Sequence, residues 1–270
     1  MIITKLRGRG RSLLVIAAAA ALAIGSALTP GTAAARPRAA EAEWSTPFLA
    51  GTHNTHYAQA MFTAFADVIG WQEVEPGSGP VTNPVAKLRR ELGPDYTTFS
   101  YGGAANAVSM SWRTSMFSLV NDEAGCARTY NGEAGVTPHR YFCTAWLRHL
   151  ESGREFAFVN THFISGIYDH PERIGRWKHH MELMRSWIER QTDAGRLVVV
   201  VGDFNNRRRG GDVPGLMNLP GVRSLMDAYE TLPLDQMYAG EALSATGAER
   251  LSTYGSDHNA YRSTIKLPLG

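Results

Sequence analysis

Five short polar clusters carry residue types suited to moving a proton and holding a phosphate. They are Asn54 in Gly51-Thr52-His53-Asn54, Gln72-Glu73, Asn160-Thr161-His162, Asp203-Phe204-Asn205 and Ser256-Asp257-His258. Glu73 and Asp257 offer the hard oxygen ligands that Mg²⁺ or Mn²⁺ takes together with waters and substrate phosphate. Asp203 can accept a proton from water, and Asn54 and Asn205 can fix metal-bound water or a phosphate oxygen. His162 and His258 can donate to phosphate oxygens as negative charge builds on them. With two cysteines and no His-x-x-x-His spacing, the chain does not read as a zinc hydrolase. One such polar group alone is an ordinary turn former or helix cap; five in the same kind of place form a constellation.

That place is the end of a strand. The clearest case is Leu197 to Val201, an unbroken apolar run that stops at Gly202-Asp203-Phe204-Asn205, as a buried strand does when it reaches the edge of its sheet. Strand-like stretches at Thr46 to Leu49 and Asp67 to Trp71 lead into the first two clusters. Between them Ala58, Met61, Phe62 and Phe65 recur at helical spacing, which predicts a helix over Tyr57 to Ala66. A second helix begins at Asn83-Pro84, places Val85, Leu88 and Leu92 on one face, and stops at Gly93. Extended segments follow around Tyr96 to Tyr101, Ala107 to Trp112 and Met116 to Val120. Arg140 to Leu150 and Arg154 to His162 form a hairpin about Glu151-Ser152-Gly153. The longest helix runs from Pro171 to near Gly195, with Ile174, Trp177, Met181, Met184 and Ile188 on one stripe. Val222 to Ala228, Leu234 to Tyr238 and a last strand from Ala260 to Leu267 complete the order. Hairpins mixed with crossovers favour mixed sheets flanked by helices over a regular doubly wound sheet.

The ordered set Asn…Gln-Glu…Asn-x-His…Gly-Asp-Phe-Asn…Ser-Asp-His resembles the endonuclease/exonuclease/phosphatase superfamily, metal-dependent phosphohydrolases that include pancreatic-type deoxyribonuclease. The resemblance runs from about Thr46 to Leu267. It implies an α/β fold built as a four-layer α/β/β/α sandwich, two mixed sheets face to face with helices outside, and a site at one sheet edge. It also implies that Glu73 is the principal ligand of Mg²⁺ or Mn²⁺, that Asn54 lies beside it or is linked through water, and that Asp257 completes the metal site. Asp203 would orient and deprotonate the attacking water, and Asn205 would bind the scissile phosphate. His258 would contact that phosphate and be held by Asp235, whose setting in Leu234-Asp235-Gln236-Met237-Tyr238 is similar to the family's penultimate strand.

Departures from particular branches are informative. Apurinic-site endonucleases place Tyr where this chain has His162. Deoxyribonuclease proper pairs that histidine with a Glu, but the corresponding stretch here is Ala104-Ala105-Asn106-Ala107, which looks more like the sphingomyelinase and general phosphodiesterase branches. The gap from Asn54 to Glu73 is short, so the first helix of the family is trimmed. Arg207-Arg208-Arg209 follows the site loop and is either a grip for a second phosphate or a solvated run. His53 and His56 flank Asn54 and read as solvent- or substrate-facing, with metal ligation as the alternative. His179 and His180 read as surface residues of the long helix.

Residues 1–42 stand apart. Lys5, Arg7, Arg9 and Arg11 precede a nearly apolar stretch from Ser12 to Leu28, and Ala33-Ala34-Ala35 and Ala40-Glu41-Ala42 are small-residue cleavage sites. This pattern predicts a secretory signal, with an N-terminal membrane anchor as the alternative, and a single domain over 43–270. Removing the leader takes six basic residues and one acid with it, turning the formal +2 into about −3. The basic balance is therefore no argument for nucleic-acid binding. Cys126 and Cys143 both lie in the exported part, where a disulfide is expected, free buried thiols being the alternative. The function expected is a secreted, monomeric, metal-dependent phosphoester hydrolase acting on nucleic acid. A phospholipid or phosphoinositide hydrolase comes next, and an inactive binding module of the same fold is the reading of another class.

Overall fold

The computed structural model describes residues 43–133, 137–207, 219–229 and 231–270. The predicted signal lies outside them. One sheet is built from β1 (Phe48–Asn54), β2 (Val68–Gln72), β3 (Tyr96–Phe99), β4 (Val108–Arg113), β11 (Ser244–Ala245), β12 (Glu249–Arg250) and β13 (Tyr261–Lys266). Its order is β11-β13-β1-β2-β4-β3, with β12 also on β13. The other contains β5 (Phe117–Tyr130), β6 (Arg140–His149), β7 (Glu155–His162), β8 (Leu197–Asp203), β9 (Val222–Ser224) and β10 (Asp235–Gly240), in the order β5-β6-β7-β8-β10-β9. Each sheet is mixed in the same way: one parallel pair at its centre, β1 with β2 and β7 with β8, has antiparallel neighbours on both sides.

Two helices close the outer faces. Helix α1 (Pro84–Leu92) starts where Asn83 Oδ1 accepts from the Ala86 N–H at 3.0 Å, and stops at Gly93, whose φ is 71°. Its Leu88 and Leu92 pack with Phe62, Ile69 and Trp71 of the first sheet's outer face. Helix α2 (Ile174–Asp193) packs Trp177, Met181, Met184 and Ile188 against Val198 and Val200. The intervening Val199 and Val201 of β8 point the other way, into the core between the sheets with Val68, Met110, Phe156 and Met237. A strand with apolar cover on both faces reads as an unbroken hydrophobic run, which is why Leu197 to Val201 shows no alternation. The fold is thus the expected four-layer α/β/β/α sandwich, with thin helical layers. Among the described residues no helix is long and apolar enough to cross a membrane.

The predicted helix over Tyr57 to Ala66 does not form. His56, Tyr57 and Ala58 take left-handed φ values of 49°, 55° and 57°, and the segment continues as turns and irregular chain. Two N–H groups that would enter a helix are already committed: His56 N donates to Asn54 Oδ1 at 3.0 Å and Tyr57 N to Glu73 Oε2 at 3.1 Å. The segment must also carry the chain back along the sheet so that β2 can run parallel to β1, and extended residues cover about twice the distance of helical ones. Ala58, Phe62 and Phe65 are buried all the same, while Met61 is 61% exposed. Helical spacing here reports burial, not a helix. Cys126 and Cys143 face each other across β5 and β6 and form the disulfide.

The sheets are tied by a side chain as well as by apolar packing. Asn160 on β7 donates from Nδ2 to the Trp71 carbonyl at 2.9 Å and the Ser109 carbonyl at 2.8 Å in the opposite sheet, and its Oδ1 accepts from Gln72 Nε2 at 2.6 Å. Gly70 makes the room, since a Cβ there would lie 2.7 Å from Asn160 Oδ1 and 2.5 Å from Val201 Cγ2. Asn160 belongs to a cluster that reads as catalytic, yet all of its bonds are structural. Replacing Asn160 with Ala strands a buried amide and two carbonyls, and should cost about 3 kcal/mol in urea unfolding. A loss below about 1 kcal/mol would show that the tie carries little.

Candidate active site

The C-terminal ends of both parallel pairs meet at one edge of the sandwich. β1 delivers Asn54, β2 runs out into Glu73, β7 ends at His162 and β8 at Asp203. Antiparallel pairing brings the start of β10 to the same edge, with Asp235 opposite Asp203. The Ser256-Asp257-His258 turn is fastened to β1 by Ser256 Oγ, which donates to the Asn54 carbonyl at 2.7 Å and accepts from His258 N at 3.1 Å. Gly202 is needed one residue before Asp203: its φ is 151°, and a Cβ there would lie 2.3 Å from the Thr161 carbonyl. Glu73 and Asn205 also sit in the left-handed region, with φ of 58° and 49°, strain of the sort that collects at functional sites.

Asp203 is 1% exposed. Its Oδ1 accepts from Asn205 N at 2.8 Å and its Oδ2 from Asn54 Nδ2 at 3.0 Å. The same Asn54 nitrogen donates to Glu73 Oε1 at 3.0 Å, so one amide bridges two carboxylates. Burial pushes the Asp203 carboxyl up to about 6, and the Asp235 charge adds to the shift. Burial likewise raises Glu73, against the Asn54 hydrogen bond. His258 Nδ1 lies 2.6 Å from Asp235 Oδ2. Burial works against the charged ring, but the Asp235 charge and hydrogen bond, with Asp203 behind them, carry His258 up to about 10. His162 is the opposite case. Its Nδ1 lies 3.0 Å from Arg140 Nη1, its Nε2 is 3.5 Å from Asp203 Oδ2 and 3.9 Å from Glu73 Oε1, and burial followed by the Arg140 charge holds it well below its ordinary value.

Residues 44–258 match the profile of the Endonuclease/Exonuclease/phosphatase family. The chain belongs to that family. Solved structures agree on the fold. An endonuclease/exonuclease/phosphatase from Bacteroides vulgatus superposes with a TM-score of 0.64 at 16% identity, covering 83% of this chain and 100% of its own. D. rerio TDP2 complexed with a single-strand DNA product gives 0.61 at 14%, covering 82% and 99%. A Bacteroides thetaiotaomicron mannosyl-6-phosphatase gives 0.60 at 14%, covering 80% and 98%. At these identities the likeness is one of fold. A comparison with curated proteins finds no match.

The family uses a divalent metal, and the donor chemistry here suits one. Half-buried Glu73 and buried Asp203 are carboxylates bridged by a single neutral amide, and Asp235 Oδ1 is a buried acceptor with no hydrogen-bond partner among the described residues. Such a surplus of hard oxygen donors fits Mg²⁺ or Mn²⁺. Among the described residues, ligand atoms of Asp203, Asp235 and His258 lie within 4.8 Å of one another. That trio is better read as an ion-paired relay, because an imidazolium whose Nδ1 donates to Asp235 has no lone pair there for a metal. Asp257 is 60% exposed at the rim, with Oδ1 3.6 Å from His56 Nδ1.

Other candidates fall as follows. Asn205 is buried and donates from Nδ2 to the Phe163 carbonyl at 3.0 Å. Arg207 lines a cavity of about 290 Å³ beside His258, with Tyr229, Arg250 and Tyr261, while Arg208 and Arg209 lie outside the described residues. Asn106 is not the partner of His162: its Oδ1 accepts from Gly102 N at 2.9 Å, and Arg140 holds the ring instead. His53 does not face solvent or substrate. It is fully buried among the rings of Phe65, Trp71 and Tyr254, and burial lowers it to about 4, because the irregular 55–66 segment covers the outer face of β1. His180 is 1% exposed and stacked on Phe163 at 3.9 Å, so it is a core residue, whereas His179 is exposed as expected. The position of His180, three after Trp177 and four before Met184, carried that signal.

The His258–Asp235 pair makes a testable electrostatic claim. A folded pKa near 10 against an ordinary 6.5 means that the pair's stabilisation is complete below about 6.5 and is lost as pH rises through about 10. In Asp235→Asn the ring should titrate near its ordinary value and the alkaline loss of stability should disappear. Histidine NMR titration and urea melts across that range check both, and an unmoved midpoint in the variant would refute the pairing.

Proposed function

We propose that this chain is a secreted, divalent-metal-dependent phosphoester hydrolase that cleaves phosphodiesters of nucleic acid by in-line attack of water. The observation that carries the reading is Asp203: a buried carboxylate, raised to about 6, fixed by Asn54 and Asn205 and flanked by a charged and a neutral histidine. A base poised near neutrality is what proton removal from water calls for. Asp203 accepts that proton on a carboxylate oxygen. His258, kept protonated by Asp235, faces the phosphate and donates as its oxygens gain negative charge. Asn205 holds the phosphate beside it, and His162 donates from Nε2. Glu73, Asn54 and Asp257 would hold the metal, which when bound lowers the pKa of water and offsets phosphate charge.

The related structures include a TDP2 with a DNA product, a mannosyl-6-phosphatase and human Nocturnin bearing sulfate, so the fold serves several phosphoesters. Nucleic acid is favoured by Arg207 and Arg250, two cations that line the cleft beside His258. A lipid substrate would call for an apolar hairpin beside the site. Of Phe163, Ile164, Ile167 and Tyr168, the residues after His162 that could have formed one, only Tyr168 is exposed, and its hydroxyl accepts from Arg207 N at 2.7 Å. The Cys126–Cys143 disulfide supports export, and a monomer is proposed.

Purified protein should cleave plasmid DNA or RNA in Mg²⁺ or Mn²⁺, lose activity in chelator, and fall by about 10²–10⁴-fold in Asp203→Ala and His258→Ala. Sphingomyelin and a phosphoinositide should be poor substrates. Wild type equal to both variants on every substrate would sink the hydrolase; cleavage of lipids alone would sink the nuclease preference.

A further inference from the structure

Arg140 lies at the site but belongs neither to the five clusters nor to the Asp235 strand. It begins β6, with its carbonyl held by Thr129 Oγ1 at 3.0 Å, and its side chain is buried beneath His162. Nη1 lies 3.0 Å from His162 Nδ1, and Nε is buried with no partner among the described residues. A guanidinium has five N–H donors and no acceptor, and it does not lose its proton in proteins. The direction of the contact therefore follows from chemistry alone: Arg140 donates, His162 Nδ1 accepts, and the single ring proton of a neutral imidazole must sit on Nε2.

The other end of the ring agrees. His162 Nε2 faces Asp203 Oδ2 at 3.5 Å and Glu73 Oε1 at 3.9 Å, distances too long for hydrogen bonds but close enough for charge to matter. An N–H is attracted by those oxygens, whereas a lone pair would be repelled by them. With no hydrogen bond closed among the described residues, that N–H can donate to a ligand between the carboxylates. We propose that Arg140 is a positioning residue that holds His162 as its Nε2–H tautomer and aims that proton into the hydrolytic site.

Its partner chemistry is the inverse of that at His258, where a carboxylate accepts from the ring. A second possibility, that Arg140 only offsets the charge of Glu73, Glu75 and Asp203, is separated by substitution. Arg140→Gln keeps an N–H donor without charge, and Arg140→Met keeps neither.

The experiment is ¹⁵N NMR of histidine-labelled protein, with His162 assigned by its loss in His162→Gln, alongside steady-state kinetics. Wild type should show a protonated Nε2 and a bare Nδ1. Arg140→Gln should keep that pattern and most of kcat. Arg140→Met should lose it, with kcat down by about 10–100-fold and KM little changed. A wild-type proton on Nδ1 overturns the proposal even if no variant folds. So does an unchanged tautomer or unchanged kcat in Arg140→Met, or Arg140→Gln behaving as Arg140→Met. The kinetic arm rests on the hydrolase reading, but the tautomer does not: protein inactive on all phosphoesters would defeat that reading while the NMR pattern still decided the role of Arg140.

Discussion

The amide of Asn160 sets the relation between the sheets on which the site depends. It reaches from β7 to Trp71, Gln72 and Ser109 in the opposite sheet, at a point where Gly70 leaves space for it. Glu73 follows Gln72 directly, and His162 lies two residues beyond Asn160 on the same strand. A slip of the sheets by one residue would break three buried hydrogen bonds and separate Glu73 from His162 and Asp203. Apolar packing tolerates small displacements, whereas a buried amide with every group satisfied does not. Structural and chemical residues are thus neighbours in sequence because they are neighbours along the same strands.

The two sheets use one plan twice. Each has a central parallel pair, and a parallel pair places both carboxyl ends at the same edge, where loops can be irregular without disturbing the core. Facing the sheets brings four such ends together, and the antiparallel partners β10 and β13 add Asp235 and the Ser256–His258 turn from their amino ends. The left-handed residues Glu73 and Asn205 occur one and two residues past these ends, where the chain must leave the sheet with its polar side chain still turned inward. Such backbone costs stability locally, and the continuous apolar layers behind it supply the compensation.

Much of this was legible in the chain itself. Strand β8, the helix capped by Asn83, the hairpin at Glu151-Ser152-Gly153 and the long amphipathic helix follow from patterns that depend on local sequence, and the site clusters mark the strand ends. What was not legible depends on cover supplied from elsewhere. The 57–66 segment shows helical spacing because its apolar residues meet the sheet, but its N–H groups are claimed by Asn54 and Glu73. His53 lies on a strand that is buried on both faces, which a polar residue near a strand end does not reveal. Arg140 starts a strand and resembles any exposed edge arginine; only the folded partner, 22 residues later, shows its use.

The two histidines at the site show how far a partner decides a residue's chemistry. Both rings lie near Asp203 and both lose solvation by burial, which taken alone would leave both neutral. A carboxylate 2.6 Å from His258 Nδ1 outweighs that penalty and keeps the ring charged; a guanidinium 3.0 Å from His162 Nδ1 adds to it and keeps the ring neutral. At one pH the edge therefore presents a cationic donor and a neutral donor on either side of a carboxylate that is itself near neutrality. Two cationic rings would draw Asp203 down and weaken it as a base, and two neutral rings would leave growing phosphate charge without a fixed cation. The opposite signs of Asp235 and Arg140 avoid both outcomes with the same kind of side chain.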